Sequence, residues 1–198
     1  MVADNSVDIR TIDEACDREN RVIWMDGDVN DAWVEKAKQI IRWNQDDQGL
    51  LPVQRVPIKL FFFSPGGSAD VGRMLVDVIL SSVTPVYAVN IGVCASAAAL
   101  IYLACERRSA LKRSGFMLHK GSFSELSGEL GTVNRYIDKC NADIAQDIEY
   151  IADRTKITKA KIEKMMAGDW YFTAQEALSS GICQSIVTDW VSALDEVK

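Results

Sequence analysis

Hydrophobic positions along the chain switch repeatedly between a continuous and a helical spacing. Arg21 to Met25 (RVIWM) is a short apolar run stopped by Asp26-Gly27-Asp28, a turn signal. From Asp31 to Trp43 the residues Trp33, Ala37, Ile40 and Ile41 recur at helical spacing. The polar stretch Asn44 to Arg55 carries Gly49 and Pro52 and reads as a loop. Ile58 to Phe63 (IKLFFF), apolar but for Lys59, reads as a continuous strand most easily placed in the middle of a sheet. Ser64-Pro65-Gly66-Gly67-Ser68 reads as a tight connection. It leads into a helix over Asp70 to Ile79 with Val71, Met74, Leu75, Val78 and Ile79 on one face.

Val86 to Ile91 predicts another strand, Ala95 to Cys105 a buried alanine-rich helix, and Gly115 to Leu118 a short strand ending at His119. A long helix follows from about Gly128 to Asp153. Its stripe of Leu130, Val133, Ile137, Cys140, Ile144, Ile148 and Ile151 steps by three and four. Thr158 to Met166 predicts a further helix with Thr158 as its cap, and Ile182 to Val187 a last strand. Alternating strands and helices in 198 residues without a linker or repeat predict one α/β domain over 1–198.

Charge narrows the function classes. The formal net charge is −6, which disfavours general nucleic-acid binding. Cys16, Cys94, Cys105, Cys140 and Cys183 are widely spaced and include no CxxC pair, so neither a disulfide framework nor a zinc site is expected. Met1 to Asp13 carries acids and no apolar run, unlike a signal peptide. The longest apolar stretch, Ile91 to Cys105, is too short to span a bilayer. A cytoplasmic protein with no membrane partner is the expectation.

Few positions could carry chemistry. Ser96 follows Gly92-Val93-Cys94-Ala95 and precedes alanines, where a strand passes into a helix start with free backbone N–H groups. A serine there is either a nucleophile or an ordinary helix cap. Nearby Cys94 reads as a small buried apolar residue. His119, the only histidine, is delivered to an edge by Phe116-Met117-Leu118 and could take a proton near neutral pH, or be a plain surface or core residue. Asp169, in Gly168-Asp169-Trp170-Tyr171-Phe172, is either a turn residue or the carboxylate that orients a histidine. Gly66 and Gly67 allow close approach of backbone to a ligand, or simply make a turn. The pair lacks the spacing of nucleotide-binding glycines.

Taken jointly, these segments resemble the ClpP peptidase family. The matching pieces are Ser64-Pro65-Gly66-Gly67, Gly92-x-x-Ala95-Ser96, Phe116-Met117-Leu118-His119, and Asp169-x-x-Phe172-Thr173-Ala174-x-Glu176-Ala177 with Gly181 beyond. Arg21-Val22-Ile23 with Gly27-Asp28-Val29 is similar to the family's first strand and turn, so the likeness runs over about 20–188. It implies a ClpP/crotonase-like fold, a superhelix of repeated β-β-α units with a protruding handle helix in about 120–153, after an N-terminal segment of about 1–20. It implies a serine endopeptidase with Ser96 as nucleophile, His119 as base and Asp169 as acid. The backbone N–H groups of Gly67 and Ala97 would form the oxyanion hole, and Gly66, Gly67 and Ser68 would bind an extended substrate strand. No cofactor or metal is implied. The implied partners are polypeptide substrates, further copies of the chain in stacked heptameric rings joined through the handle, and an AAA+ unfoldase.

The chain departs from the family pattern in places. Lys120-Gly121 stands where Gln-Pro is usual, Gly168 where an arginine that helps link the rings is usual, and Ala97 where methionine is common. The segment before Arg21 is short for the axial loops. These departures bear on ring assembly and unfoldase docking and leave the triad positions intact. They are similar to those of phage or prophage ClpP-like peptidases that process capsid proteins. The alternatives are a crotonase-type acyl-CoA enzyme, which shares the fold but usually lacks such a triad, and a non-catalytic ring or scaffold subunit.

Overall fold

The computed structural model describes residues 16–122 and 127–188; the reading of Met1 to Asp13 therefore lies outside the described residues. The elements are β1 (Val22–Val29), α1 (Trp33–Asp46), a 3-10 turn (Pro52–Gln54), β2 (Ile58–Gly67), α2 (Ala69–Leu80), β3 (Val86–Ala95) and α3 (Ala97–Ala104). Then come β4 (Arg107–Leu111), β5 (Gly115–Leu118), α4 (Leu130–Arg154), α5 (Lys159–Met165), β6 (Trp170–Thr173), α6 (Ala174–Ser180) and β7 (Ser185–Val187). The strands form one sheet in the order β1-β2-β3-β4-β7, all parallel. The α/β expectation agrees with this arrangement.

Strand β3 forks. Its first half, Tyr87 to Asn90, pairs with β4, and its last residues, Val93 to Ala95, pair with β5. Buried Asn90 holds the fork open: its Nδ2 donates to Gly115 O at 2.9 Å and its Oδ1 accepts from Gly92 N at 3.0 Å. Strand β5 then pairs antiparallel with β6. The fork separates the structural sheet from a small β5–β6 layer that carries residues of the candidate site.

Two strands run further than hydrophobicity alone indicates. The stretch Ser64 to Gly67 is the end of β2 and not a tight turn, because it is clamped between β1 and β3: Asp28 pairs with Gly66, Val29 with Gly67, and Ser64 with Cys94. Pro65 falls in the register shift, where a missing N–H costs no ladder bond. Likewise β3 continues past Ile91 to Ala95, so Ser96 comes directly off a strand end.

The core lies on the helix-covered side of the sheet. Phe62 packs edge-on against Tyr102 with ring centroids 5.5 Å apart, and Tyr102 against Phe116 at 5.2 Å. Tyr102 is fully buried, and its hydroxyl donates to Ser109 O at 2.8 Å, satisfying the polar group. Arg108 is buried too, donating to the carbonyls of Ile182, Leu103, Cys105, Arg154 and Gly181. Arg154 donates to Leu103, Ala104 and Cys105 O. Both cations thus satisfy the carbonyl end of α3 and favour its dipole.

A second polar anchor ties β1 to α1. Arg21 donates to both oxygens of Asp47 at 2.6 and 2.8 Å, and Thr84 Oγ1 donates to Asp47 at 2.7 Å. These hydrogen bonds, Arg21 foremost, hold the Asp47 carboxyl below its usual range against the opposing effect of burial. Removing Asp47 leaves the part-buried Arg21 charge and the Thr84 hydroxyl without their partner. Asp47→Ala should therefore cost about 1–3 kcal/mol in a denaturant titration. The sign with pH follows from the depressed value. This stabilisation is complete above the unfolded aspartate value of about 3.9 and fades as pH falls through the lower folded value.

Cysteine burial agrees with the sequence reading. Cys94 and Cys105 are fully buried, and burial pushes the Cys94 thiol well above its ordinary value and Cys105 up to about 12. Neither can supply thiolate near neutral pH. Native protein treated with iodoacetamide should be alkylated at exposed Cys16 and spared at Cys94, Cys105 and Cys183, as read by peptide mass mapping.

Candidate active site

The site sits where β3, β5 and β6 end together. Ala95 pairs with Met117, and the Ser96 N–H donates to Met117 O at 2.8 Å, which places Ser96 beside the end of β5. In the antiparallel ladder Leu118 faces Trp170. One further step along each strand sets His119 opposite Asp169. Lys120 N donates to Met166 O at 3.2 Å and tethers the same two segments beyond the ladder.

Ser96 occupies the residue before α3, yet its side chain makes no cap bond. Its φ is +54° and its ψ −127°, a conformation that costs a non-glycine residue of order 1–3 kcal/mol. This turn aims Oγ away from the helix and to within 2.7 Å of His119 Nε2. On the other side of the ring, His119 Nδ1 lies 3.3 Å from Asp169 Oδ1. A proton on Nδ1 facing that carboxylate leaves Nε2 free to accept from the serine hydroxyl. Tyr171 supports the carboxylate, its hydroxyl donating to Asp169 Oδ2 at 3.2 Å. Tyr171 was not singled out from the sequence; nothing in the aromatic run distinguished it from a packing residue.

Gly66 is required by close approach. A Cβ there would lie 2.6 Å from Ser96 Cβ and 2.7 Å from Ala95 O, and its φ is +99°. At Gly67, with φ +147°, a Cβ would meet Val29 O at 2.4 Å. Ala97 opens α3, so its N–H is among the amides with no carbonyl partner inside that helix. Ser68, next in the chain, borders the site but is largely spent within the protein. Its N–H donates to Val29 O at 2.8 Å, its Oγ accepts from Val71 N at 3.4 Å, and its carbonyl accepts from Gly72 N at 3.0 Å. Ser68 thus caps α2 and has no N–H left to offer a substrate strand.

The passage from β6 into α6 is fixed by a capping box. Thr173 Oγ1 accepts from Glu176 N at 3.3 Å, and Thr173 N donates to Glu176 Oε2 at 2.8 Å. Thr158, by contrast, stands at the start of α5 without a side-chain cap bond, so the cap expected there is not made. Gly121 has φ +91°, a value that proline cannot adopt. Around Gly168 nothing lies within 4 Å of a notional Cβ, so the fold itself leaves room for a side chain there.

Among the described residues no group of His, Cys, Asp and Glu is arranged to hold a metal ion, and no helix is long and apolar enough to cross a membrane.

Comparison with known proteins gives the family. The profile of the family described as Clp protease matches residues 14–189. "ATP-dependent Clp protease proteolytic subunit 2" of Treponema pallidum is 30% identical over 139 residues, 66% of this chain and 66% of the relative's own length. The alignment thus spans about two thirds of that relative. The subunit of the same description from Pseudomonas aeruginosa is 28% identical over 169 residues, 84% of this chain and 81% of that one. Among solved structures, a point mutant of ClpP1 from Listeria monocytogenes superposes with a TM-score of 0.78, covering 94% of this chain and 99% of that one at 23% identity, a likeness of fold. With a matching profile over nearly its whole length, the chain belongs to the Clp protease family of serine-type peptidases.

Proposed function

We propose that the chain is an endopeptidase subunit that cuts extended or unfolded polypeptides, with Ser96 as nucleophile, His119 as general base and Asp169 as the acid that orients it. The observation that carries this reading is the run of contacts from Ser96 Oγ through His119 to Asp169. As Oγ attacks the scissile carbonyl, its proton passes to His119 Nε2, and the Asp169 carboxylate stabilises the imidazolium. The N–H groups of Gly67 and Ala97 receive the oxyanion. His119 then gives the proton to the leaving amine, and a water activated by the same nitrogen releases the acyl group. Gly67 offers the backbone along which a substrate strand lies, the Gly66 N–H being already taken by Ser64 Oγ at 3.2 Å. The purified protein should hydrolyse short unstructured peptides without nucleotide while sparing folded proteins; failure to cut any short peptide would refute the reading.

The working form is a ring-shaped oligomer of one peptidase domain per chain, with stacked heptamers as the arrangement and an ATP-driven unfoldase as the feeder of folded substrates. The relatives named above are described as ATP-dependent. Support for stacking through α4 comes from its exposure pattern. Ile148 and Ile151 are buried core and Ile144 packs against it, whereas Leu130 is 74% exposed. Only the first half of the helix is therefore available as a contact between rings. Leu130→Asp with Ile137→Asp should halve the particle mass in light scattering with little loss of monomer stability. An unchanged mass would show that α4 is not the joint.

A further inference from the structure

A cavity of about 590 Å3 opens from Ser96 and His119 and is closed in part by α4. One portion of its lining is neutral, including Pro65, Leu100 and Met117; another is ionic. Arg73 of α2 donates to Asp147 from Nε at 3.2 Å and from Nη2 at 2.7 Å, and to Asp143 from Nη1 at 3.2 Å. Lys139 Nζ donates to the same Oδ2 of Asp143 at 2.7 Å. Asp70 stands 3.8 Å from Arg73 and 3.7 Å from Lys139. All of these side chains border the cavity.

An aliphatic or aromatic substrate side chain filling this space would strip water from the network and return no hydrogen bond. The Arg73, Asp143 and Asp147 side chains retain 28%, 20% and 17% of their exposure, so each still has water to lose. The network can still both give and take hydrogen bonds. Arg73 spends one N–H each of Nε, Nη1 and Nη2 on carboxylates and keeps two, while Asp143 receives Arg73 and Lys139 on one oxygen and keeps the other. Asp70 adds a carboxylate whose side chain is 83% exposed. Three carboxylates, Asp70, Asp143 and Asp147, thus face Arg73 and Lys139, and Lys120 makes the cations equal in number. Lys120 also borders the cavity but pairs with none of these carboxylates among the described residues.

We infer that the cavity selects, at a position flanking the cut, a side chain ending in a polar or charged group and turns away large apolar ones, with Arg73, Asp143 and Asp147 as the specificity-determining residues. The inference rests on Ser96 being the nucleophile.

The test digests a randomised peptide mixture with the purified full-length protein and identifies products by mass spectrometry, with Ser96→Ala as the blank. One flanking position should favour polar and charged residues over Leu, Met and Phe by on the order of ten-fold or more. Replacing the network by Arg73→Met, Asp143→Val and Asp147→Met should reverse that preference. The isosteric Asp143→Asn, which leaves packing intact, should by itself lower Lys and Arg relative to Gln and Asn. Ser96-dependent products with Leu, Met or Phe at both flanking positions in the parent protein would overturn the inference alone. Absence of any Ser96-dependent product would remove the peptidase reading and this inference with it.

Discussion

Ser96→Ala should lower peptide hydrolysis by on the order of 10⁴-fold or more while leaving the fold unchanged. Only the hydroxyl oxygen is lost, and that oxygen makes no cap bond to α3. Its one side-chain contact of note is His119 Nε2 at 2.7 Å. A capping serine would behave oppositely: its alanine variant would lose about 1 kcal/mol of stability and keep its turnover. Relief of the strained φ is not available to alanine either, so melting should stay close to that of the parent. His119→Ala should give a similar loss of rate. It should also remove the acid limb of the pH–rate profile, since an imidazolium cannot accept the serine proton and no other histidine is present.

Gly66→Ala should be nearly as severe through geometry alone. The new methyl would press on Ser96 Cβ at 2.6 Å and on Ala95 O at 2.7 Å, at a φ of +99° that alanine avoids. Either the nucleophile moves or the end of β2 does. Displacement of the reacting oxygen by about an ångström can cost on the order of 10²-fold in rate. The loss should appear in kcat for a short peptide, with a fall in stability of about 1–3 kcal/mol from the backbone strain. Gly168→Ala is the control for stability: nothing lies within 4 Å of its added atom, so melting should change within about ±0.5 kcal/mol.

The parts of the fold that were legible in the sequence are those where burial imposes a simple period. In the run Ile58 to Phe63, Ile58, Leu60, Phe61 and Phe62 are buried, as are Trp33, Ala37 and Ile40 of α1 and Val71, Leu75 and Ile79 of α2, whereas Phe63 and Ile41 are exposed. Missed features depend on partners distant in the chain. Ser-Pro-Gly-Gly has every local mark of a turn, yet β1 and β3 hold it extended. Strand β4 (RRSAL) hides because its buried Arg108 is satisfied by carbonyls from α3, α4 and the stretch before β7. Strand β6 (WYFT) reads as a loose aromatic run, although it is the strand whose register brings Asp169 opposite His119. The regular stripe of α4 gave no sign of where core ends and open surface begins, because periodicity reports a face and not its cover.

Candidate residues Ser96, His119 and Asp169 were each weak signals alone. A serine before a helix, a lone histidine and one acid among many have common structural explanations. What distinguishes the serine is its positive φ, which turns the hydroxyl away from the capping position. That quantity depends on the neighbouring Gly66 and on β5, and no window of sequence around Ser96 contains both.

The most direct test of the central claim is reaction of the purified protein with a fluorophosphonate probe, followed by mass mapping of the adduct. The probe marks only a serine whose hydroxyl is activated by a neighbouring base. The account predicts stoichiometric labelling at Ser96, strongly slowed in His119→Ala and absent in Ser96→Ala. An unlabelled native protein, or an adduct on any other serine, would contradict it.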